Sequence, residues 1–306
     1  MKLESITKTI LERIKQNGWQ AKFVSIEHLR DLEEEIEAHY QNGSLDKELY
    51  ADYLNRFDFD VSAYFEGVRT LIVVTAPQPQ QQVTFNWQGQ TYSGIIPPTY
   101  SLATDRQIKD CLEDILKPQG FNLEKKRLPE KLLAARCGLA RYGKNNLTYV
   151  PGMGSFHRPA VFVTDVSCEE DSWGELKPLK ACAECTACMD ACPTDAIVSD
   201  RFLVHAERCI TFHNERPYEF PEWLDRSWHN CLVGCMFCQK ACPMNKKFLN
   251  WIEDGAAFSE KETDYLFKRV LPDNMPKTMV EKSEKLGMTE YTGVLGRNLK
   301  AIMENQ

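Results

Sequence analysis

The chain has 306 residues, 43% hydrophobic and 10% aromatic, an ordinary globular balance with room for two domains of about 100–200 residues. With 44 acidic against 37 basic residues it carries a net charge of −7 and a pI near 5.5, which argues against a broad nucleic-acid footprint but leaves room for a local basic patch. No uninterrupted apolar run reaches about twenty residues, so no transmembrane helix is expected.

In chain order, the first predicted element is an amphipathic helix with Leu3, Ile6, Ile10 and Ile14 at helical spacing, ending near Gly18. This opening stretch has no apolar core of signal-peptide length and no twin arginine, so a cytoplasmic location is expected. Residues 69–77, RTLIVVTAP, form a β-branched run closed by proline and read as a buried strand. The polar stretch 78–82 reads as a loop, and VTFNWQGQTY (83–92) as a hairpin turning near Gly89. A helix follows over 105–120, with Ile108, Cys111, Leu112 and Ile115 on one face, which places Cys111 in the core. Pro129 and Gly138 bracket the next helix in the usual proline-first, glycine-last order. Residues 159–166 are a second buried strand candidate, and the charged segment beyond the cysteines reads as helical, with Ser259 and Glu262 placed as a capping box. The expected organisation is an α/β (α+β) domain over 1–170, a double-cluster domain over 171–247 and a helical segment over 248–306.

Nine of the twelve cysteines lie between residues 182 and 242. In a large chain expected in a reducing compartment, that distribution favours metal over disulfides. Cys182, Cys185, Cys188 and Cys192-Pro193 follow the C-x2-C-x2-C-x3-C-P spacing of bacterial two-cluster ferredoxins, whose fourth cysteine serves the other cluster. Cys235, Cys238 and Cys242-Pro243 supply the complementary half. Cys182, Cys185, Cys188 and Cys242 are thus expected on one [4Fe–4S] cluster, and Cys192, Cys235 and Cys238 on the second. Spacing leaves both Cys209 and Cys231 open as the eighth ligand. A pair of zinc sites would also use C-x2-C, but not the crossed pattern with both Cys-Pro ends. Cys111, Cys137 and Cys168 read as small buried hydrophobes.

Two stretches carry a family resemblance. CGLARYGKNNLTYVPGMGSFHRPAVFVTDV (137–166) resembles the Gly-Leu-Gly-Trp-Ile-Gly-Lys-Asn segment of epoxyqueuosine reductases, with a related stretch in cobalamin-dependent reductive dehalogenases. RCITF around Cys209 is similar to that family's Arg-Cys-Ile-Ser-Tyr, whose cysteine completes the second cluster, and so the resemblance favours Cys209. It covers roughly residues 60 to 247. It implies a nitroreductase-like corrinoid-binding domain followed by a ferredoxin-like domain with two [4Fe–4S] clusters. The implied enzyme is a cobalamin-dependent oxidoreductase that takes electrons from a ferredoxin or flavodoxin and reduces a small or nucleoside-type substrate. Gly138, Gly143, Gly152, Gly154 and Ser155 would let the backbone approach the corrinoid, with Lys144 and Asn145 as donors. Counting back without gaps from Gly138, the family's catalytic aspartate falls on Glu124, but the surrounding Asp-Ser/Thr-x-Pro motif is missing. Tyr100 and Tyr142 are alternative proton donors, and Tyr149 and His157 further polar candidates. The helical-repeat tail of many epoxyqueuosine reductases is not found, which together with the acidic pI disfavours a tRNA partner. The alternative reading is a non-catalytic electron-transfer protein or a reductive activator for a separate corrinoid protein.

Overall fold

A computed structural model describes residues 5–270 and 272–305; Leu3 lies outside them. The strands are β1 (Gln20–Ser25), β2 (Thr70–Pro77), β3 (Gln80–Trp87), β4 (Gln90–Ile96), β5 (Leu123–Lys125), β6 (Arg141–Tyr142), β7 (Thr148–Tyr149), β8 (His157–Thr164) and β9 (Ile252–Phe258). The α-helices are α1 (Ile6–Gln16), α2 (Leu29–Gln41), α3 (Lys47–Asp52), α4 (Leu102–Leu116), α5 (Glu130–Arg136), α6 (Ala187–Asp190), α7 (Ile210–Asn214), α8 (Phe237–Ala241), α9 (Glu260–Phe267), α10 (Lys277–Leu286) and α11 (Thr292–Met303). Among the described residues no helix is long and apolar enough to cross a membrane.

Two compact units do not follow the linear order of the chain. The first takes residues 5–77 and Thr104–Ala183, the second Gln78–Ala103 and residues 184–305.

The first unit is built on an antiparallel sheet in the order β1-β2-β8-β5. Alternate residues of a strand face opposite sides. Ile72, Val74, Ala160 and Phe162 therefore meet Ile10 and Ile14 of α1 and Ile108 and Leu112 of α4. Leu71, Val73, Val161 and Val163 meet Leu29 and Leu32 of α2 and Leu133 of α5 on the other face. Coverage of both faces explains why residues 70–76 are buried without interruption. Cys137 is buried, as expected, but Cys111 on α4 is only half-buried, as is Cys168. At Cys111 the thiol accepts a long hydrogen bond from Asn17 Nδ2 (3.7 Å), at the margin of the core face.

The second unit carries the expected hairpin β3–β4, turning through Gln88 and Gly89 with φ of +50° and +75°, the left-handed pair a type I′ turn requires. Its other edge pairs in parallel with β9, giving the order β4-β3-β9. This corrects two expectations. Residues 80–82 belong to β3 rather than to a loop, and the segment after the cysteines opens with a strand before its helices. The cause is tertiary. Gln80 finds Ile252 as its strand partner, its backbone N–H donates to Trp251 O (3.1 Å), and its Nε2 donates to Leu249 O (2.9 Å). Val83, Phe85 and Phe258 then pack with Leu266, Met279 and Leu299 from α9, α10 and α11. Ser259 caps α9 in a complete capping box with Glu262.

Candidate functional site

The cysteines sit on turns too short to be stable alone. Cys182 closes a 3-10 turn (Lys180–Cys182) at the end of the first unit. In the second unit, Cys188 lies on the four-residue α6, and Cys192 follows it with Pro193. Cys209 is the N-cap of the five-residue α7, its N–H donating to Ala206 O (2.9 Å). Cys235 and Cys238 flank the start of the five-residue α8, which packs on α6, and Cys242 leads with Pro243 into another 3-10 turn. None of the twelve cysteines is disulfide-bonded, and all twelve are described.

Electrostatics groups part of this set. Burial pushes the Cys235 thiol up to about 11, and the neighbouring Cys209 and Cys192 push it further, while N–H donors on Asn230 and Phe237 pull it back. Burial also raises Cys209, with Cys192 again adding to the effect. Cys192, Cys209 and Cys235 therefore lie within electrostatic reach of one another. Cys231, fully buried, has Cys235 as a charged neighbour but turns its thiol proton to Asn230 Oδ1 (3.1 Å). Thiols held neutral by burial become thiolates when iron takes the place of their protons. The donor set fits two iron–sulfur clusters: thiols in short turns, with N–H groups aimed at sulfur.

The glycine-bearing loop after α5 is more self-contained than the sequence suggests. Gly138, at φ +76°, ends α5, and its N–H donates to Ala135 O (3.1 Å). Gly143 is required by packing, since a Cβ there would stand 2.7 Å from the Tyr149 ring. The N–H of Gly143 donates to Leu147 O (2.9 Å) and that of Gly154 to Val150 O (3.0 Å). Asn145 is buried and spends its amide inside the loop: Nδ2 donates to the Tyr149 hydroxyl (2.9 Å) and Oδ1 accepts from Leu147 N–H (3.4 Å). Ser155 is buried, and Lys144 Nζ donates to Ala183 O (3.2 Å). The orphaned donor is the next residue: Asn146, at φ +57°, has a buried Nδ2 with no partner. Sequence reasoning passed over it, and a non-glycine held in the left-handed region was the available signal. An unspent amide beside Lys144 fits a ligand rich in amide and phosphate acceptors. His157, fully buried, engages Thr148 O through Nε2 (3.0 Å), and burial pushes its pKa down to about 4.

The proton-donor candidates lie on separate elements. Glu124 lies on β5, the sheet edge, where its 45% exposed side chain pairs with Lys126 Nζ (2.7 Å). A carboxylate buried in the same unit is Asp105, held by the Arg158 fork at 2.8 Å through both Nε and Nη2 and by Lys125. Tyr142 is in the first unit, on β6, half-buried, and burial raises its hydroxyl. Tyr100 is in the second, where its hydroxyl donates to Glu215 and burial raises it well above the ordinary tyrosine range. Gly234, at φ +66°, makes room for it, since a Cβ there would stand 2.6 Å from the Tyr100 hydroxyl. Because Glu215 caps the end of α7 and Gly234 precedes Cys235, Tyr100 belongs to the surroundings of the cysteines.

Comparison with known proteins matches this geometry. Residues 181–245 match a family model described as a 4Fe–4S double cluster binding domain. The epoxyqueuosine reductase of Bacillus subtilis (strain 168) is 34% identical over 148 residues, covering 46% of this chain and 37% of the relative. The chain thus spans well under two thirds of that relative. The solved epoxyqueuosine reductase of Streptococcus thermophilus superposes with a TM-score of 0.67 at 18% identity, over 98% of this chain and 81% of the other. An epoxyqueuosine reductase crystallised with a tRNA-Tyr epoxyqueuosine-modified tRNA stem loop superposes with a TM-score of 0.68 at 20% identity, with coverage of 98% and 81%. The α+β arrangement and the double-cluster domain expected from the sequence are both present. The chain is epoxyqueuosine reductase-like in sequence and fold and carries a domain for two [4Fe–4S] clusters.

Proposed function

We propose that the chain is a cytoplasmic iron–sulfur and cobalamin-dependent oxidoreductase acting on a nucleoside-type substrate. The observation that carries this reading is the crossed eight-cysteine pattern, matched over 181–245, within a chain that shares the epoxyqueuosine reductase fold over 98% of its length. Cys182, Cys185, Cys188 and Cys242 hold the first cluster, and Cys192, Cys209, Cys235 and Cys238 the second. Cys209 lies within electrostatic reach of Cys192 and Cys235, whereas the Cys231 thiol is hydrogen-bonded to Asn230 Oδ1, which supports Cys209 over Cys231. When bound, the clusters relay single electrons and the corrinoid cobalt supplies a strongly reducing centre. Around the corrinoid, this chain's part is to bind and orient: the Asn146 amide and Lys144 ammonium would hold its polar side chains, and the Gly138–Ser155 loop would give it a backbone wall. Proton delivery falls to Glu124, Tyr142 or Tyr100. Of these, Glu124 is the accessible carboxylate, whereas the Tyr100 hydroxyl donates a hydrogen bond to Glu215 and belongs to the surroundings of the second cluster's cysteines. A ferredoxin or flavodoxin is the electron donor.

The acidic charge weighed against tRNA. A reductase of the same fold has been crystallised with an epoxyqueuosine-modified stem loop, so a nucleoside within tRNA is the first substrate to test here. The deciding experiment is anaerobic: reconstitute the clusters, add cobalamin, remove the excess, and record the electron paramagnetic resonance spectrum after mild reduction. A stoichiometric base-off cobalt(II) signal is expected. Cluster signals without retained cobalamin would overturn the reading in favour of an electron-transfer protein. Loss of queuosine from tRNA in a deletion strain would then identify the substrate, and intact queuosine with no second gene copy would exclude it.

A further inference from the structure

Asn230 lies five residues before Cys235, outside the cysteine spacing, yet its amide ties together the turn that leads into α8. Oδ1 accepts from Met236 N–H (2.9 Å) and from the Cys231 thiol (3.1 Å); Nδ2 donates to Trp228 O (3.0 Å) and to Cys235 Sγ (3.4 Å). The orientation of this amide is fixed by its partners. Met236 N–H can only donate and Trp228 O can only accept, so a flipped amide would lose both bonds. Cys231 is fully buried and burial keeps its thiol protonated, which makes it a dedicated donor to Oδ1. An N–H is thereby held at the sulfur of Cys235 with no freedom to turn away.

We propose that Asn230 is a positioning residue that fixes the Cys235 thiolate and raises the reduction potential of the second cluster, with Cys231 locking the amide in place. The inference rests on the double-cluster reading. One-electron reduction adds a negative charge to the cluster, and a donor on a ligating sulfur stabilises that extra charge more than the oxidised state. Cys231 is thus explained without being a ligand.

The test is a redox titration of the reconstituted chain with dithionite as the one-electron donor, followed by electron paramagnetic resonance, with iron and sulfide counted for each variant. Asn230→Ala is expected to move one cluster's midpoint to more negative values and leave the other unchanged. Asn230→Asp, at a pH that keeps it ionised, preserves the acceptor for Met236 and Cys231 while removing the donor, and is expected to move the same midpoint further. Cys231→Ala should give a smaller shift in the same cluster, and Cys231→Ser, which keeps a donor, should restore the wild-type value. Unmoved potentials in both Asn230 variants, or equal shifts in both clusters, would overturn the inference. Loss of half the iron from both Asn230 variants would also overturn it, showing a residue needed for assembly rather than tuning. A wild-type chain that cannot be loaded with two clusters would instead sink the double-cluster reading itself.

Discussion

The two units hold themselves together by different means. In the first, a four-stranded sheet is covered on both faces, and fully buried residues such as Phe162, Ile72 and Leu133 lock it from either side. In the second, β3, β4, β9 and the last three helices make such a core, with Leu232 and Val233 of the cysteine segment packed into it. The segment from Cys185 to Cys242 is a succession of turns and helices of four or five residues. Helices that short do not stand in water without help, because nucleation costs more than a single turn returns. The contrast shows where the chain relies on apolar burial and where it relies on bound clusters.

Stripping the iron breaks the comparison most strongly. Chelation under oxidising conditions should raise amide hydrogen exchange across 184–245 while β2 and β8 keep their protection, because cluster binding is part of that segment's folding energy. Equal loss of protection in both regions would show that the clusters stabilise the whole chain. A sharper version uses single cysteines: Cys209→Ala should lose half the iron, whereas Cys231→Ala should retain all of it. An unchanged iron count in the Cys209 variant would reassign the eighth ligand.

Phe162→Ala probes the other side. It should cost about 3–5 kcal/mol in thermal unfolding of the first unit with no loss of iron. His157 gives a pH signature of similar size. Burial depresses its pKa from 6.5 to about 4, so the unfolded chain binds the proton more readily than the folded one. Stability from this group is therefore complete above pH 6.5 and falls as the pH is lowered toward about 4, by up to about 3 kcal/mol. His157→Gln should flatten that slope, as followed by denaturant unfolding across the range. Ser259→Ala should have the smallest effect, about 1 kcal/mol through loss of the α9 cap, read from the midpoint of the second unit.

What the sequence disclosed depended on how local the cause was. The buried run 70–76, the Gly89 turn and the Ser259–Glu262 box were legible because each follows from neighbouring residues. The cysteine spacing was legible for the same reason, since thiolates must be offered within a few residues of one another. The eighth ligand was not legible from spacing, which leaves Cys209 and Cys231 open; only the resemblance of RCITF to the reductase segment favours Cys209. Nor was β9, whose partner β3 lies far back in the chain. Asn146 was not legible because composition does not show which amide the loop itself consumes; only the hydrogen bonds of Asn145 to Tyr149 and Leu147 do. Tyr100 reads by position as part of the first domain, whereas the 78–103 excursion carries it into the second unit.

The parallel pairing of β9 with β3 bears on how this protein can be trimmed for laboratory use. β3 has β4 on one side and β9 on the other, so a chain cut just after Cys242 would keep every proposed cluster ligand yet leave a row of amides and carbonyls along β3 exposed. Such a bare rim is a template for strand addition. A minimal cluster-bearing fragment is therefore expected to self-associate in expression trials, and one extended through Phe258 and the helices that follow is the sounder starting point for biophysical work.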